Sequence, residues 1–88
     1  MKESIGTVEI RGLTGAVAAA DAMLKTATVK IQDFRIVGSG LVTVIVSGDV
    51  AAVQTAVTSG KTAVETFCDV ISTNVIARPH EELEKMLC

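Results

Sequence analysis

The chain has 88 residues and a formal net charge of −2, enough for one small domain with one core. Its eight Lys and Arg residues are scattered, which excludes the basic cluster that sequence-independent nucleic-acid binding needs. No apolar run approaches the ~20 residues that span a bilayer, so no membrane segment is expected.

Thr7-Val8-Glu9-Ile10 alternates and is β-branched, so it reads as a first strand. Gly12 breaks the pattern. Leu13, Ala16, Val17, Ala20, Met23 and Leu24 then recur at helical spacing and predict an inward apolar stripe, with Asp21 and Lys25 paired four apart on the same helix. A second strand opens at Thr26–Ile31, with Val29 and Ile31 inward. The inward set then shifts phase to Phe34 and Ile36, which predicts a β-bulge around Gln32-Asp33. Gly38-Ser39-Gly40 reverses the chain into Leu41–Val46, apolar at nearly every residue, as in a strand covered on both faces. One of those faces would meet helices; a monomer of this length leaves the other unexplained.

Asp49 is placed as a helix N-cap, and Val50, Val53, Val57, Gly60, Val64 and Phe67 form the stripe that follows. A fourth strand lies around Val70–Ile76. Pro79 stops it, and Glu81–Met86 reads as a short terminal helix. The expected fold is therefore α+β: a ferredoxin-like βαββαβ order, an antiparallel four-stranded sheet and a short C-terminal helix, all within one domain spanning residues 1–88. The first residues enter a strand pattern with no room for a signal peptide, and Cys68 and Cys88 read as reduced thiols. Together these suggest a soluble cytoplasmic protein. Alanine and valine must fill the core, since Phe34 and Phe67 are the only aromatics. Such small apolar chains often finish their burial against copies of themselves.

Catalytic candidates are thin. The single histidine, His80, stands beside Pro79 with no second acid–base group, and no serine or cysteine has a recognisable base partner. No metal-ligand spacing occurs, so neither a metal nor another cofactor is expected. RNA-binding sheets of this topology stack bases on strand aromatics. Only Phe34 could serve, and its apolar neighbours suggest burial. The Gly-Ser-Gly turn feeds a strand and not a helix, so it lacks the helix N-terminus of a phosphate-binding loop. From residues alone it is a tight hairpin reversal.

Arg11-Gly12-Leu13, Ala19-Ala20-Asp21-Ala22-Met23-Leu24-Lys25, Gly38-Ser39-Gly40-Leu41-Val42-Thr43-Val44, Gly48-Asp49-Val50, Ala51-Ala52-Val53 and Val75-Ile76-Ala77-Arg78-Pro79-His80 together resemble a bacterial microcompartment shell protein of the single-domain, hexamer-forming class. The resemblance covers nearly the whole chain. It implies a homohexameric, non-enzymatic tile that joins other tiles and other shell proteins edge to edge around encapsulated enzymes. It implies that Gly38, Ser39 and Gly40 line a central pore for small polar metabolites. The glycines would leave the aperture uncrowded, and the Ser39 hydroxyl and nearby amides would offer hydrogen bonds. It also implies that Lys25, Arg78 and, nearby, His80 lie at the edge between hexamers. The Lys25 stem would run along apolar surface, and the planar Arg78 fork would donate to several carbonyls.

Two departures stand out. Ile36 occupies a position where many relatives carry lysine, making the approach to the turn less cationic, and Ala77 replaces a frequent proline. The competing reading is a regulatory module of the ACT type, which shares this element order and binds an amino acid at a dimer interface. Its glycine-bearing turn after the first strand has a single candidate here, Gly12.

Overall fold

A computed structural model describes residues 3–77. Within them the chain runs β1 (Ser4–Arg11), α1 (Leu13–Thr26), β2 (Lys30–Val37), β3 (Leu41–Gly48), α2 (Val50–Val64) and β4 (Val70–Ile76). The strands form one sheet in the order β2-β3-β1-β4 with every neighbouring pair antiparallel, so each helix carries the chain over a strand inserted later or earlier. This is the α+β arrangement expected from the element order. The short helix expected at Glu81–Met86 lies outside the described residues.

Strand alternation divides the sheet into two faces. Val8 and Ile10 on β1 and Val42, Val44 and Val46 on β3 are buried in one core with residues of both helices. Ile5, Thr7 and Glu9, and Leu41, Thr43 and Ile45, point to the opposite face and are half-buried. The apolar surplus of β3 is therefore real, and among the described residues no helix covers its second face.

The helices approach each other closely because they meet through small residues. A Cβ added at Gly60 of α2 would lie 2.9 Å from Cγ of Met23 on α1. This closeness decides which side of α1 turns inward. Gly15, Ala16, Ala19, Ala20 and Met23 are buried, whereas Leu13, Val17 and Leu24, expected in the stripe, are about half exposed. Apolar periodicity ranks leucine ahead of alanine, but close packing favours the side without branches.

Three further expectations are corrected. Helix α1 continues through Thr26, so β2 opens at Lys30. Helix α2 ends at Val64, leaving Phe67 on the connection to β4 and exposed. Phe34 and Ile36 do share the helix-facing side of β2 with Ile31, but β2 is an edge strand that α1 barely reaches. Phe34 is thus 37% and Ile36 76% exposed. The bulge expected around Gln32-Asp33 is present, as the β2–β3 register shifts between Ile31 and Asp33. The displaced Gln32 Nε2 donates to Ser47 Oγ at 2.6 Å. Asp49 caps α2, its Oδ2 accepting from the Ala51 N–H at 3.2 Å.

Candidate functional site

The Gly38-Ser39-Gly40 turn joins β2 to β3 directly beyond the Val37–Leu41 pair. Positive φ falls at Ser39 (69°) and Gly40 (77°). Gly38 does not take that region. A serine in this region costs roughly 1–2 kcal/mol unless neighbours hold it. A Cβ added at Gly38 or Gly40 would meet nothing within 4 Å, so both glycines face open space on their side-chain side. The Ser39 hydroxyl makes no hydrogen bond among the described residues, which leaves it available to another molecule.

What holds the turn comes from the junction between β1 and α1. The Gly12 N–H donates to the Gly40 carbonyl at 2.7 Å. Arg11 Nη1 donates to the Ser39 carbonyl at 3.4 Å. Arg11 is fixed in turn from the α2–β4 connection: its N–H donates to the Asp69 carbonyl at 3.0 Å, and its Nε lies 3.8 Å from Asp69 Oδ2. Beside this junction an open depression of about 420 Å³ is lined by Arg11, Glu65, Thr66, Phe67, Cys68 and Asp69. Sequence reasoning marked Arg11 only as part of a motif. Its place beside the turn depends on β1 pairing with β3, which puts Arg11 opposite Leu41.

Lys25 sits at the far end of α1. Helical rise places it about 20 Å from the turn that Gly12 anchors. Its Nζ pairs with Asp21 Oδ2 at 3.0 Å on exposed surface, a contact that contributes about 0.3 kcal/mol and leaves the ammonium free to exchange partners. Ile76, the last residue of β4, pairs with Ile5 at the end of β1 away from Arg11. The chain thus leaves the sheet at the same end as Lys25. Arg78 and His80 lie outside the described residues. Ile36 approaches the turn as a bare apolar side chain. Among the described residues, no group of three or more His, Cys, Asp or Glu side chains could hold a metal ion. No described helix is long and apolar enough to cross a membrane.

A four-stranded antiparallel sheet backed by two helices is consistent with the fold of a BMC domain. The family model of that description matches residues 4–79. The chain belongs to the BMC-domain family, and it is a structural shell protein of a bacterial microcompartment. It is 49% identical over 86 residues to the bacterial microcompartment shell protein PduA of Salmonella typhimurium strain LT2, covering 98% of this chain and 92% of that one. It is 46% identical over 89 residues to the carboxysome shell protein CcmK2 of Thermosynechococcus vestitus, covering 99% and 87%. It is 42% identical over 84 residues to the shell protein EutM of Escherichia coli K12, covering 96% and 87%.

Among solved structures, a microcompartment protein of Desulfitobacterium hafniense DCB superposes with a TM-score of 0.80 at 39% identity over 94% of this chain. The match spans 45% of that longer chain. These relationships give no support to an amino-acid-binding regulatory module. The N–H of Gly12, the one glycine suited to such a site, is already committed to Gly40.

Proposed function

We propose that six copies of this chain form a flat tile around a pore lined by Gly38, Ser39 and Gly40. Each chain contributes one domain and no catalysis. Tiles meet along edges bearing Lys25, Arg78 and His80, and join other shell proteins around encapsulated enzymes in the cytoplasm. Small polar metabolites cross through the pore. The observation that carries this reading is the placement of the turn. It is exposed at one end of the sheet, while Lys25 and the exit of β4 lie at the other. A six-fold arrangement with the turns innermost puts those groups outermost. The half-buried face of β3 and the exposed side of α1 supply apolar surface for contacts between chains, each Å² covered contributing about 25 cal/mol.

The permeability assignment is tested by Ser39→Trp in reconstituted shells. Tiles and shells should form normally while flux of a small polar metabolite falls. Unchanged flux through shells that carry the variant would refute the pore.

A further inference from the structure

We propose that Arg11, which lies outside the Gly-Ser-Gly turn, is the positioning and charge-setting residue of the pore mouth, with Asp69 as its counterweight. This rests on the pore reading above. Three observations carry it.

The turn places a serine and a glycine in succession at positive φ, and such a backbone persists only where its surroundings hold it. The two carbonyls of those residues are both held from the β1–α1 junction, one by the Gly12 N–H and the other by Arg11 Nη1. Among the described residues no other basic side chain bonds to the turn. Since Ile36 brings no charge, the fixed positive charge at the turn is the Arg11 guanidinium, one hydrogen bond from the Ser39 carbonyl.

The guanidinium suits this double duty. Its planar fork reaches the Ser39 carbonyl through Nη1 while Nε faces Asp69 Oδ2 at 3.8 Å. The backbone of Arg11 is tied independently to the Asp69 carbonyl at 3.0 Å, so the strand end stays in place when either side chain changes. In a six-fold tile the six turns bring six guanidinium–carboxylate pairs to the rim. Arg11 reaches both the Ser39 carbonyl and Asp69, so the end of each pair that touches the turn is the positive one. Small anions are favoured over small cations, by an amount that Asp69 reduces.

The test is the chloride-to-potassium permeability ratio of single tiles in planar bilayers under asymmetric potassium chloride. Light scattering first checks that each variant retains the assembly state of the parent. Arg11→Gln should lower the ratio on the order of fivefold, because several unit charges near the rim act together through a water-filled, salt-screened pore. Arg11→Lys should retain most of the parent ratio. Asp69→Asn should raise it, and that variant carries the test if Arg11→Gln fails to fold. Ser39→Asp, on the rim itself, is the control. If Ser39→Asp shifts the ratio but Arg11→Gln and Asp69→Asn do not, the Arg11 inference is overturned and the pore stands. If Ser39→Asp also leaves the ratio unchanged, the pore reading itself falls.

Discussion

Gly6 lies mid-strand in β1, under α2, where sequence alone offers no reason for a glycine. An alanine Cβ there would sit 2.6 Å from Val53 Cγ1, 2.7 Å from Val57 Cγ2 and 3.2 Å from Val46 Cγ2. Ordinary contact begins near 3.4 Å, so the two helical methyls would have to retreat by more than half an ångström. They cannot swing away: a helical valine has one strongly preferred χ1 rotamer, and both side chains lie in the core. The helix must move instead. Overpacking of this kind costs about 1–3 kcal/mol, and replacing glycine in a strand returns about 0.5–1 kcal/mol, so Gly6→Ala should lose about 1–2 kcal/mol. That lowers the thermal midpoint by roughly 5–15 °C for a domain of this size. The assay is circular-dichroism melting at fixed protein concentration, since assembly makes the midpoint concentration-dependent. Adding Val57→Ala removes one clashing methyl, so the double variant should be less destabilised than the two single changes added together, by about 1 kcal/mol. A Gly6→Ala protein as stable as the parent, or strict additivity, would refute this account of the sheet–helix packing.

The two glycines of the turn should respond differently. Gly40→Ala forces a side chain to φ +77° and should cost about 1–2 kcal/mol in urea unfolding, whereas Gly38→Ala should stay within about 0.5 kcal/mol. Equal effects would contradict the turn geometry. Lys25→Ala should change chain stability by less than about 0.5 kcal/mol, because its pair with Asp21 is exposed. It should nevertheless abolish the extended sheets seen by electron microscopy, as should Arg78→Ala. Sheets that persist in both variants would remove these residues from the tile edge.

Much of the fold was legible because its signals are local. The alternation in β1, the phase slip at Gln32, the Asp49 cap and the Gly-Ser-Gly reversal each depend on a few adjacent residues, and each stands where it was expected. The misplacements share a different cause. Leu13, Val17 and Leu24 face outward because Met23 and Gly60 bring the helices too close for branched side chains between them. Ile36 is exposed because β2 is an edge strand, and strand order is a property of the whole sheet. Arg11 escaped notice as a turn partner for the same reason. It is 28 residues from Ser39 in the chain, and only the pairing of β1 with β3 brings them together. The family resemblance rested on spacing across the whole chain, and the match over residues 4–79 agrees with it.

The central claim is that the chains are arranged with the turn inward and Lys25 outward. Electron cryo-microscopy of the purified protein tests this most directly. The account predicts a six-membered ring in which Ser39 approaches the symmetry axis from every chain, with Lys25 and Arg78 at the perimeter. A dimer, or a ring with Lys25 nearest the axis and Ser39 outermost, would contradict it.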